Sequence, residues 1–199
     1  MCAMRIILSL AFVLWFGPAF AQQSPTRPPS QSSSAEMKQI FQEDQDVRQP
    51  APKAAPRLVP RDDAARREAT KKLLDAGALH TGDDFFEAAV VFQHGDRPDD
   101  YLLAHTLACI AVAKGNRDGL WIAAATLDRY LQKIGQPQIY GTQFSRANQD
   151  APWTQDPYDR DLISDALREQ LGVPPLAAQA DQLKHFQSQF PSHPQSPPK

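Results

Sequence analysis

Cysteine is almost missing from this chain: Cys2 and Cys109 are the only two in 199 residues. Cys2 precedes an apolar stretch that reads as a cleavable leader, so the processed chain would keep Cys109 alone. No intramolecular disulfide can then form, and the fold must be held by its core. Cys109 lies in the apolar run from Leu107 to Ala113, with no cation or helix start beside it. That setting favours a small buried hydrophobe over a nucleophile.

Long apolar runs are scarce too. Ile6 to Phe16 is an eleven-residue stretch broken only by Ser9, shorter than the roughly 20 residues that span a bilayer. Arg5 stands before it and Ala19-Phe20-Ala21 after it, the layout of a secretory signal over residues 1–21 with cleavage after Ala21. Gly17 and Pro18 break the helix ahead of that site and argue against an uncleaved anchor. The expected location is the bacterial periplasm or the exterior, with no membrane span left after cleavage.

Nor does either sign of charge dominate. The net charge is −2, and loss of Arg5 with the leader makes it −3. A nucleic-acid partner would need a clustered basic surface, so none is expected. G-x-S-x-G, H-E-x-x-H, C-x-x-C and glycine-rich phosphate loops are all absent. His80, His94 and His105 are not at metal-ligand spacing, and no metal or cofactor is expected.

What the sequence does contain is helical periodicity between proline-rich margins. Eleven of the 18 prolines fall in Pro25–Pro29, Pro50–Pro60 and Pro191–Pro198. Residues 22–33 read as a disordered linker, 34–188 as one all-α domain of six to seven helices, and 189–199 as a disordered tail. A Pro/Ala connector occupies 49–60. Helices are expected over 34–48, 63–76, 83–93, 99–114, 118–134, 156–172 and 175–187, with residues 136–156 an ordered loop. Ser33 with Glu36 suggests a capping box for the first helix, and Thr81 or Asp83 a cap for the third. The third is apolar all round and should be buried. Lys114-Gly115-Asn116 should turn the fourth and fifth into an antiparallel hairpin. Asp156-Pro157 looks like a cap followed by proline at the first helical position.

Three segments carry a resemblance. They are Asp44-Gln45-Asp46-Val47-Arg48, then Val91-Phe92-Gln93-His94-Gly95-Asp96, then Leu127-Asp128-Arg129-Tyr130 leading to Pro137-Gln138-Ile139-Tyr140-Gly141-Thr142-Gln143. Across roughly residues 36–175 the chain resembles a family of uncharacterised bacterial proteins, a domain of unknown function. That family carries D-Q-x-x-R, Q-H-x-D and P-Q-x-Y-G-T-Q in this order. Its Gly-Trp-Pro element before the buried helix is replaced here by Ala76-Gly77-Ala78-Leu79-His80. The resemblance implies a helical fold and no established activity.

The candidate site residues follow from chemistry. Asp44 and Arg48 share the apolar face of the first helix, where each charge needs a partner. They suit either a buried ion pair fixing that helix or, with Gln45 and Gln93, a ligand site in which Arg48 holds an anion. His94 either satisfies the end of the buried helix or acts as general base, with Asp44 or Glu87 orienting it. Gln138, Tyr140 and Gln143 offer uncharged donors and acceptors to a sugar, peptide or amide, or else bond their own loop. Gly141 should supply a positive φ. Asp128 and Arg129 are expected to be solvated or surface-paired, and His105 to be a satisfied half-buried histidine. The favoured reading is a non-catalytic module binding a small molecule or a protein partner. The alternative is a hydrolase-like enzyme with His94 as general base and Arg48 as anion holder. A third reading makes all these polar residues architectural.

Overall fold

A computed structural model describes residues 34–48 and 62–190. The leader, the linker, the Pro/Ala connector and the tail beyond 190 lie outside the described residues, and so does Ser33. The rest is all-α, as expected: α1 (Ala35–Asp46), α2 (Asp63–Asp75), α3 (Gly82–Phe92), α4 (Pro98–Ala113), α5 (Gly119–Lys133), α6 (Asp165–Gln170) and α7 (Leu176–Gln189). No strand forms among the described residues; two isolated bridges join Gln138 to Tyr158 and Ser145 to Thr154.

α3 is the centre. Ala88 to Phe92 are all buried, because neighbours cover this helix on every side. α1 lays Met37 and Ile40 on it, and α4 and α5 bring Ala104, Leu107, Ala108, Ile122 and Ala123. The alanines let helix axes approach closely. Gly119 lets α5 approach α4 closely: a Cβ there would sit 2.7 Å from the carbonyl oxygen of Ala108. Gly115, with φ +96°, turns the α4–α5 hairpin.

The helix starts follow capping chemistry. Asp62 caps α2 by accepting from the Ala65 N–H, and Pro98 occupies the first turn of α4. Thr81 and Asp84 form a reciprocal capping box on α3. The cap of α1 is Ser34, whose hydroxyl accepts from the Met37 N–H, and not the expected Ser33. The reason is tertiary: the Ser34 N–H is held by Asp84, fixing the chain entry one residue later.

Two further expectations fail. The sixth helix begins at Asp165, capped by Ser164, and not at 156. Backbone pairing captures residues 157–159 first: the Gln138 N–H donates to the Pro157 carbonyl, and the Asp159 N–H to the Gln138 carbonyl. Cys109 is exposed, not buried. α4 is apolar around most of its circumference, so membership of an apolar run did not fix which face Cys109 takes.

Asp84 ties the first described residue to the central helix. Its carboxylate is 2% exposed and accepts from the N–H groups of Ser34, His80 and Thr81 and from the Thr81 hydroxyl. Burial alone would raise its pKa, but these donors outweigh burial and hold it below the usual aspartate value. A depressed native pKa stabilises the fold above the unfolded pKa, about 3.9, and that contribution is lost as pH falls through the native value. Asp84→Asn should therefore destabilise by about 1–3 kcal/mol at neutral pH, a midpoint drop of several degrees at roughly 2–4 °C per kcal/mol. Melting curves should show the gap to wild type narrowing below about pH 4. A constant gap down to the acid transition would contradict this role.

Candidate functional site

The residues singled out by the sequence gather into two polar clusters. The first centres on Asp44, which is fully buried on α1. Its Oδ1 pairs with Arg48 at 2.8 Å and with Arg66 Nε at 3.3 Å. Its Oδ2 accepts from the Gln45 amide at 3.0 Å and lies 3.0 Å from His94 Nδ1. That last contact is close but off-line for a hydrogen bond, and Nδ1 has no other partner. Arg48 also donates to Asp63 at 2.8 Å, and Arg66 bridges Asp44 and Asp63. Burial would raise the Asp63 pKa, yet the two guanidiniums hold it below the ordinary value.

The cluster joins α1, α2 and the end of α3. It brings together the expected Asp44, Gln45, Arg48 and His94, and adds Asp63 and Arg66. Their only sequence signal is an acid–base pair three residues apart on α2, where one member is turned inward. Both terminal nitrogens of Arg48 already contact carboxylates, so the anion-holding role has no free fork. His94 turns its ring toward Asp44 and does not cap its own helix. Glu87 is buried in α3. Gln93 follows the last residue of α3, its N–H on the Ala89 carbonyl.

The second cluster centres on Asp128, which is completely buried, contrary to the expectation of a solvated residue. Its two oxygens accept from the N–H groups of Ile139, Tyr140 and Thr142 and from the Thr142 hydroxyl, at 2.7–3.0 Å. The loop curls over the carboxylate because its own backbone donors would otherwise lack partners. Arg129 is half-buried beside Tyr101, and burial pulls its pKa below the ordinary value. The solvated expectation fails for it as well.

Gln138 is fully buried. Its amide donates to the carbonyls of Gln143 and Gln155 and accepts from the Gln143 N–H. The Gln143 side chain bonds the Thr142 hydroxyl and, at 3.4 Å, the Ala125 carbonyl. The Tyr140 carbonyl accepts from Tyr158 and Gln179. Burial, with the Asp128 charge nearby, raises the Tyr140 phenol pKa and keeps it protonated. Gly141 has the expected positive φ, +80°, and a side chain there would run into Gln179 Oε1 and the Tyr158 ring. Gln155, Tyr158 and Gln179 complete this stitch. Nothing periodic in the sequence marks them, because an irregular loop recruits partners by position alone.

Open space lies beside the same loop. A groove of about 670 Å³ runs between the 141–144 segment and α7. Trp121, Phe144 and Phe186 give it aromatic surface, while Asp181, Gln182 and His185 give it polar groups. The Phe144 and Phe186 ring centroids lie 4.9 Å apart with their planes tilted by 43°, and Trp153 packs on Phe186 at 5.4 Å. Trp121, on the first turn of α5, is 41% exposed. The sequence signal for this site was a tryptophan at a helix start, off the apolar stripe. Among the described residues no group of three or more His, Cys, Asp or Glu side chains could hold a metal ion. His105 is half-buried with Nδ1 2.9 Å from the Ala123 carbonyl, as expected for a satisfied histidine.

No family model matches the chain, and neither a curated protein nor a solved structure shows significant similarity to it.

The carboxylates at the centres of the two clusters make a sharp stability prediction. Asp44→Ala leaves Arg66 and Arg48 short of their anion, and Asp128→Ala strands three backbone donors; each should cost about 3–5 kcal/mol. Lys72→Ala removes an exposed pair with Glu68 and should cost less than about 1 kcal/mol. Thermal melting of the three variants checks this, and near-equal midpoints would refute it.

Proposed function

We propose that the chain is a non-catalytic ligand-binding module that takes its ligand in the groove between the 141–144 segment and α7. One contrast supports this reading. The amides and carboxylates singled out by the sequence bond to their own protein, whereas the groove beside them keeps exposed aromatic surface and polar side chains with little internal demand. Ligand sites commonly combine concave apolar surface with a few polar groups, at roughly 300–1,000 Å³. The proposal includes export: the leader over 1–21 is removed, the protein recovered from the periplasm or medium begins at Gln22, and the module works outside the cytoplasm.

A crystallographic fragment screen tests the site. Bound fragments should concentrate against Trp121, Phe144 and Phe186. Fragments gathering at His94 instead would contradict the groove.

One contact favours a second reading, a hydrolase-like enzyme in which His94 is general base and Asp44 orients it. The His94 Nδ1 to Asp44 Oδ2 separation is 3.0 Å, and Nε2 makes no hydrogen bond among the described residues. A carboxylate on one ring nitrogen would leave the other to take a proton from water. A panel of ester, amide and phosphoester substrates decides it. Turnover lost in His94→Gln with KM unchanged supports the base, whereas turnover retained in that variant removes it.

A further inference from the structure

Trp121 does not sit at the end of a groove; it divides two. On one side is the 670 Å³ groove against α7. On the other is a hollow of about 460 Å³ that also borders Trp121 and is lined by Arg117, Asp118, Glu169 and Gln170. Both hollows border this one indole, and together they make up a trough. Its side chains of both signs, Arg117 against Asp118, Glu169 and Asp181, do not favour a polyanion. Lys184 already neutralises Asp181 at 2.9 Å. The polar ends of Arg117, Glu169, Gln170, Gln182 and His185 make no hydrogen bond among the described residues.

From this arrangement we infer that the trough binds a neutral saccharide of about three rings, the middle ring lying on Trp121 and the outer two in the flanking hollows. The inference rests on the groove reading and names its ligand class. A pyranose has flat apolar C–H faces that suit an indole platform, and its rim hydroxyls both donate and accept. Carboxylates accept only, guanidinium donates only, and amides and imidazole do both; hydroxyls satisfy all of them. A proline-rich peptide is the nearest rival, since proline also stacks in aromatic-lined grooves. Its imide nitrogens carry no hydrogen, however, so it offers mainly carbonyl acceptors. Asp118 and Glu169 would be left facing acceptors. Burying unpaired carboxylates opposes binding.

The test uses the exported protein, labelled with nitrogen-15, and follows the Trp121 indole N–H together with the amides of Thr142, Gln170 and Gln182. The probes are maltotriose, cellotriose and the N-acetylglucosamine trimer, each beside its monosaccharide, with a proline decapeptide as rival. The expected result is a saturable shift of these signals with at least one trisaccharide, tighter than with its monosaccharide. Binding should weaken about tenfold or more in Trp121→Ala, the loss of one stacked aromatic contact. Trp121 is substantially exposed, so that variant should melt near wild type. If none of the sugars shifts the signals, the saccharide assignment is overturned. A response to the peptide alone would then leave the groove as a site for another ligand. Silence toward sugars, peptide and the fragment screen would remove the groove reading as well.

Discussion

A carboxylate taken out of water must collect donors, and three aspartates of this chain impose that demand where elements meet. Asp44 binds α2 and the end of α3 to α1. Asp84 binds the entry of α1 to the start of α3. Asp128 binds the 139–142 loop to α5. Each lies at 2% exposure or less. The apolar core could slide along helices rich in alanine, since small residues give few interlocking knobs. These directional contacts fix where the helices stop relative to one another.

The same demand explains why so much conspicuous polarity is not available to a ligand. In the loop after α5, two glutamines, a threonine, a tyrosine carbonyl and a glycine of positive φ are engaged in closing the backbone over Asp128 and against α7. Their types resemble a binding site because both tasks need donors and acceptors at fixed places. What separates the two is whether the atoms already have partners. By that criterion the trough around Trp121 is the open surface, and the Asp44 cluster is chiefly a clasp with one imidazole at its edge.

Much of this architecture was legible in the sequence, for identifiable reasons. α2, α3 and α4 have acidic first turns, and glycines follow α2, α4 and α5, so the ends of these helices lie within a residue or two of their expected positions. The Asp44–Arg48 pair was legible because a charge on an apolar face must find a counter-charge, and four residues apart is helical contact distance. The burial of Asp128 is not legible because its partners are chiefly backbone N–H groups, which every residue type but proline has and no pattern reveals. The start of the sixth helix is not legible either: Asp-Pro is a sound local start, but pairing with Gln138 outweighs it. Of the trough only Trp121 leaves a trace in the sequence, because Trp121, Phe144 and Phe186 come from three separate segments.

The most direct measurement of the central claim, that the 139–142 loop is architecture and not a mobile ligand-binding loop, is native-state hydrogen exchange at the amides of Ile139, Tyr140 and Thr142. Loop amides ordinarily exchange through local opening at little free-energy cost. Protection at these three should be comparable to that of the buried α3 amides, because releasing them strands the Asp128 charge. Exchange at the rate of an open surface loop would contradict it.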